Sequence, residues 1–152
     1  MTNAELKLKD MGYEIPEPGV PVGSFCATVQ IGNMIYVSGH TSNLKGVAQY
    51  TGKLGKTITT EEAYKGAEIA ALRCIGALNK AADLDHLKIV KVTGFVNAAE
   101  DFTAHPAVIN GASDLFEHVF GENGRHARCA IGVASLPGNA CVEVELIAQI
   151  LD

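Results

Sequence analysis

The chain of 152 residues contains no tryptophan, and aromatic side chains make up only 6% of it. Its four cysteines, Cys26, Cys74, Cys129 and Cys141, include no pair at the spacing of a zinc or redox motif. A domain of this size needs no disulfide staples, so buried reduced thiols in a cytoplasmic protein are expected. Positive charge is scarce: 12 Lys+Arg stand against 17 Asp+Glu, a net charge of −5. Without a basic stripe, the chain lacks the electrostatic footprint of a nonspecific nucleic-acid binder. No apolar run nears the roughly 20 residues of a bilayer span. The stretch Met1–Glu5 has no cationic segment leading into an apolar core, so no signal peptide is expected. His105, His118 and His126 have no metal-like spacing with cysteines or carboxylates, so neither a metal nor another cofactor is expected.

What is abundant is small. Glycine occurs 16 times, about 11% against roughly 7% in an average chain, and alanine adds 20 more. With 47% hydrophobic residues the chain is globular rather than disordered, and its length fits one domain over 1–152. Many small residues imply close approach between elements.

Within that domain, residues 1–21 read as a short helix over 4–11, ended by Gly12, followed by an extended arm. The arm carries Pro16, Pro18 and Pro21. Phe25–Gln30 and Met34–Ser38 are β-type runs with Gly32-Asn33 as the hairpin turn between them. Gly39–Thr57 is glycine-punctuated and polar, and reads as a loop. Its Gly52–Thr57 part ends like a phosphate-binding loop, but Tyr50 stands where that pattern needs its first glycine.

Thr59-Thr-Glu-Glu62 is a capping-box signature. Ala63, Ala67, Ala70, Ala71, Cys74, Ile75 and Leu78 then recur at helical spacing. Leu87–Val96 is a β-branched strand. Pro106 opens a second helix, with a stripe of Val108, Ala112, Leu115, Phe116 and Val119 and Gly121 at its end. Ala127–Ser135 and Ala140–Ile150 are the last two strands. The order β-β-α-β-α-β-β argues for an α+β fold, with two helices on one face of a mixed sheet.

Strand alternation places Arg128, Ala130, Gly132 and Ala134 on one face. Nothing larger than alanine follows the arginine there, which either leaves room beside a cation or marks an ordinary solvated face. On the last strand Val142, Val144, Leu146, Ala148 and Ile150 form an apolar face. Glu143 and Glu145 lie on the other, as a solvated pair or with one as a general base. A hairpin centred on Pro137-Gly138 would set Glu143 opposite Gly132, on the order of 13 Å from Arg128 along the strand. Two subunits would then be needed to bring both to one small molecule. If the strand already runs through 126, the same alternation sets Cys129 and His126, three positions apart, on opposite faces and argues against a thiol dyad.

The segment Arg128-Cys-Ala-Ile-Gly-Val-Ala-Ser-Leu-Pro-Gly-Asn-Ala-Cys-Val-Glu143-Val-Glu145 resembles the signature of the RidA/YjgF family. These are the reactive-intermediate deaminases, also labelled endoribonuclease L-PSP. Ile31-Gly-Asn-Met-Ile-Tyr-Val-Ser-Gly39, Val92–Asn97 and Asp101-Phe102 add to the likeness, which runs from about Val22 onward. Tyr50–Gly55, Asn110-Gly-Ala-Ser-Asp-Leu-Phe116 and Gly124-Arg-His-Ala-Arg128 are similar to the longer branch of that family.

The resemblance implies a chorismate-mutase-like α+β fold and a homotrimer with sites between subunits. The implied reaction is hydrolysis of small 2-imino acids, such as 2-aminoacrylate or 2-iminobutanoate, to 2-keto acids and ammonia. By the same likeness Arg128 holds the substrate carboxylate and Glu143 stands near the attacking water. Phe25, Ser38, Gly39, Asn110 and Ala130 line the pocket. Phe25 replaces a family tyrosine, Ala130 a cysteine and His40 a glutamine. His40 is thus either a substitute acid/base group or a loop histidine with a satisfied hydrogen bond. The alternatives are a non-catalytic trimer that binds small carboxylates and an endoribonuclease; the acidic balance counts against the latter.

Overall fold

A computed structural model describes residues 1–152. The chain forms helix α1 (Asn3–Asp10), strands β1 (Thr28–Ile31) and β2 (Met34–Thr41), and a small hairpin of β3 (Asn43–Leu44) and β4 (Val47–Ala48). Then come helix α2 (Thr60–Ala81), strand β5 (Leu87–Asn97), helix α3 (His105–Phe120) and strands β6 (Ala127–Val133) and β7 (Val142–Ile150). No helix is long and apolar enough to cross a membrane.

Local chemistry explains the element boundaries. At α2, the Thr59 hydroxyl accepts from Glu62 N at 3.2 Å and the Glu62 carboxylate accepts from Thr59 N at 2.9 Å. This closes the expected capping box. The same signature, unread in the sequence, opens α1, with Thr2 and Glu5 as partners. Gly32 turns β1 into β2 with φ 59°, and Ile31 pairs with Met34 across the turn. The stretch expected to be a loop holds the β3–β4 hairpin instead. Lys45 and Gly46 both take positive φ, as a type I′ turn requires.

Five strands form one sheet in the order β1-β2-β7-β5-β6. β5 and β6 run parallel, joined by α3, while β7 is antiparallel to both β2 and β5. The expected β6–β7 hairpin is therefore not formed, because β5 lies between the two strands. Buried Asn97 at the end of β5 holds the crossover in place. It donates to Ala140 O at 3.2 Å and accepts from Lys53 Nζ at 2.7 Å, and that ammonium also donates to Ala134 O at 2.5 Å.

The helices cover one face of the sheet. Ala63, Ala67, Ala70, Ala71, Cys74, Ile75 and Leu78 of α2 are fully buried against Ile35, Val37, Val144 and Leu146 and the rest of the core. Each Leu or Ile so placed contributes about 1.5–3 kcal/mol. Glycine sets the spacing. A Cβ on Gly111 of α3 would overlap the Tyr64 carbonyl of α2, and one on Gly94 of β5 would enter the Ile109 side chain. On the opposite face of the sheet Val29, Tyr36 and Ile131 stay exposed.

Candidate active site

Arg128 lies on β6, the edge strand, in register with Val92 of β5. Val92 is buried under the helices, so Arg128 shares the covered face and not a solvated one. The room expected along that face is filled. Ala130 packs against the core, and the His105 ring lies over Gly132.

Helix α3 presents Asn110 and Ser113, three residues apart and so on one side of the helix, to the guanidinium. Arg128 Nη1 donates to Asn110 Oδ1 at 2.8 Å and to Ser113 Oγ at 3.1 Å. Ser113 Oγ lies 2.9 Å from His126 Nε2, and His126 Nδ1 lies 2.6 Å from Gly124 O. A carbonyl can only accept, so Nδ1 carries the proton and donates to it. Nε2 of the neutral ring then accepts from Ser113. Burial holds the His126 pKa below its ordinary value, and nearby Arg128 pushes the same way.

These groups border a cavity of about 250 Å³ lined by Ser113, Glu117, Gly124, Arg125, His126 and Arg128. Arg125 pairs with Glu117 and Glu122, whereas Arg128 joins no ion pair. Sequence reasoning passed over Ser113 and His126 as site residues. Their signals were the Asn-x-x-Ser spacing, which places two side chains on one face of a helix, and a histidine just before the strand that carries Arg128.

A second cluster forms where β2 bulges between Val37 and His40. Glu143 of β7 lies beside Thr41 of β2 and Phe95 of β5, and its carboxylate covers Gly39, where any Cβ would strike it. Burial raises the Glu143 pKa from its ordinary value, and the charge of Glu145 adds to the rise. The Ser38 hydroxyl donates to Cys26 O at 2.6 Å, which tethers the neighbouring Phe25, itself 56% exposed. His40 points the other way, into the core. It is 7% exposed, 2.7 Å from Ser38 O and 3.9 Å from Cys74 Sγ. Burial lowers its pKa, and its placement in the core with a hydrogen-bond partner fits the satisfied histidine and not a substitute acid/base group beside Glu143.

Within one chain the two clusters do not meet. Glu143 is level with Phe95, and Phe95 with Ile131, three residues along β6 from Arg128. The separation is about 10 Å along the strands and about 10 Å across them. An offset of three also puts the two side chains on opposite faces. The sequence-level expectation of separation holds, though β5, rather than a hairpin offset, is the cause.

A family model described as "YjgF/chorismate mutase-like, putative endoribonuclease" matches residues 5–150. Protein TCP17 of Trypanosoma cruzi is 39% identical over 146 residues, 94% of this chain and 91% of that protein. A 2-iminobutanoate/2-iminopropanoate deaminase of Dermatophagoides farinae is 31% identical, over 86% of this chain and 88% of its own. A crystal structure from Shewanella oneidensis MR-1, described as a putative endoribonuclease, superposes with a TM-score of 0.93 at 31% identity and covers 98% of this chain and 100% of that one. With the match spanning nearly its whole length, the chain belongs to the YjgF/chorismate mutase-like family.

Proposed function

We propose that the protein is a deaminase that hydrolyses small 2-imino acids to 2-keto acids and ammonia. The observation that carries this reading is the Arg128 guanidinium. It is oriented by two protein acceptors, left without a carboxylate partner, and placed at the edge of the sheet. A planar, permanently charged fork of this kind suits a carboxylate in a way that lysine does not. The raised pKa of Glu143 supports the second role. A carboxylate with a raised pKa is a stronger base: it can take a proton from water as the water adds to the imine carbon, and the carboxyl so formed can return one to the departing amine. Relatives named 2-iminobutanoate/2-iminopropanoate deaminase support the same reaction.

The site is completed between subunits of a homotrimer, Arg128 and Asn110 from one and Phe25, Ser38, Gly39 and Glu143 from its neighbour. The opposed faces of the two clusters favour this arrangement, as do the exposed apolar residues Val29, Tyr36 and Ile131 on the uncovered sheet face. A second reading is a trimer that binds small carboxylates without turning them over. Phe25 favours it, since the ring has no hydroxyl to handle a proton.

The test is a coupled assay that generates 2-iminobutanoate in the presence and absence of the protein. Faster 2-oxobutanoate formation supports the deaminase. No acceleration at any protein concentration, with Arg128-dependent carboxylate binding intact, favours the binder.

A further inference from the structure

We propose that Ser113 and His126 act with Asn110 as a proton-ordered clamp that fixes Arg128, so that a ligand carboxylate docks on its Nε–Nη2 edge alone. The inference rests on Arg128 being the carboxylate anchor and specifies how that anchor is presented.

Both protons of Nη1 have protein acceptors, Asn110 Oδ1 and Ser113 Oγ. The two-pronged approach across Nη1 and Nη2 is therefore closed. The donors on Nε and Nη2 have no protein acceptor, and they form the side-on edge that grips a carboxylate through two parallel bonds.

The proton order in the rest of the network is determined by chemistry. Gly124 O can only accept, so His126 Nδ1 donates, and in the neutral ring, which burial favours, Nε2 accepts. The Ser113 hydroxyl therefore spends its proton on His126 and turns its lone pairs to Arg128. Because arginine only donates, the Asn110 atom facing it is the oxygen, and the Asn110 amide protons point away, free for the ligand. The two motifs Asn110–Phe116 and Gly124–Arg128, separate in sequence, are thus one device. Neither Ser113 nor His126 needs to touch substrate, and both are positioning residues.

The test uses 2-oxobutanoate, a carboxylate probe that requires no turnover. Its dissociation constant is measured by calorimetry for the wild type, Ser113→Ala, Ser113→Thr, His126→Phe and Arg128→Ala, and the Nη signals of Arg128 are followed by NMR. Losing one hydrogen bond to a charged group corresponds to roughly a ten-fold weakening for Ser113→Ala. Ser113→Thr, which keeps the hydroxyl, restores affinity, and His126→Phe weakens it in the same direction. Distinct Nη1 and Nη2 signals in the wild type merge in Ser113→Ala as the guanidinium regains rotation.

Unchanged affinity and unmerged signals in folded Ser113→Ala, with binding lost in Arg128→Ala, would overturn the clamp and leave the anchor standing. Wild-type affinity in Arg128→Ala would overturn the anchor itself.

Discussion

Gly111→Ala sets two physical effects against each other. Alanine is better than glycine in a helix interior by about 0.8–1 kcal/mol, so propensity alone predicts a more stable protein. Packing predicts the reverse. The new Cβ would overlap the carbonyl oxygen of Tyr64 on α2, come to 2.9 Å from its carbon and reach 3.3 Å from the Ala67 Cβ. The obstacle is helix backbone, so no rotamer change relieves it, and α3 must move away from α2. Overpacking of this kind costs about 1–3 kcal/mol, and more where only backbone can yield. With a backbone obstacle placing the cost in the upper part of that range, about 2–3 kcal/mol, the net expectation is a loss of about 1–2 kcal/mol after the propensity gain is subtracted. For this chain length that is a fall in Tm of about 2–8 °C. Urea unfolding followed by circular dichroism, together with thermal melts, measures both. Equal or higher stability in Gly111→Ala would refute the argument that glycine is present for close helix approach.

Glu143→Gln tests the buried carboxylate through pH. The folded-state pKa lies above the unfolded one, so the wild type is fully stabilised at low pH and loses that stability as pH rises through the folded value. Glu143→Gln should therefore melt higher than wild type at pH 7, with the difference vanishing near pH 4; a constant difference would contradict it. Burial pushes the Cys74 thiol up to about 12 and Cys141 up to about 11, so neither should react with a disulfide reagent until denaturant is added. Cys26 and Cys129 are exposed, against the expectation of buried thiols, so thiol counting should find those two without urea and all four cysteines with it. Phe25→Tyr should raise kcat on 2-iminobutanoate by supplying the hydroxyl that phenylalanine lacks, and an unchanged or lower kcat would remove that position from the chemistry.

Much of the fold is legible from short-range patterns. The spacing from Ala63 to Leu78, the Thr59–Glu62 box and the Pro106 and Gly121 boundaries act within a turn or two, and they give α2 and α3 directly. The alternation from Val142 to Ile150 likewise gives the buried face of β7. Strand order is another matter. Two consecutive strands joined through Pro137-Gly138 read as a hairpin. The Asn97 side chain, 43 residues from Ala140 in sequence, holds the connection across the end of β5 instead.

The site shows the same division. Arg128 and Glu143 stand out by residue type and motif. The roles of Ser113 and His126 depend on α3 and β6 meeting side by side, and the core placement of His40 depends on the bulge in β2. Long-range contacts decide all three.

The central claim is that Arg128 and Glu143 serve one site from two different subunits. Mixing individually inactive Arg128→Ala and Glu143→Gln chains, unfolded together and refolded at equal amounts, tests it most directly by 2-iminobutanoate hydrolysis. In a cyclic trimer each interface would pair an intact Arg128 with an intact Glu143 in about one arrangement in four. The mixture should therefore recover about a quarter of wild-type activity while each variant refolded alone stays inactive. A mixture as inactive as its parts, with mixed trimers demonstrated by mass, would contradict the account.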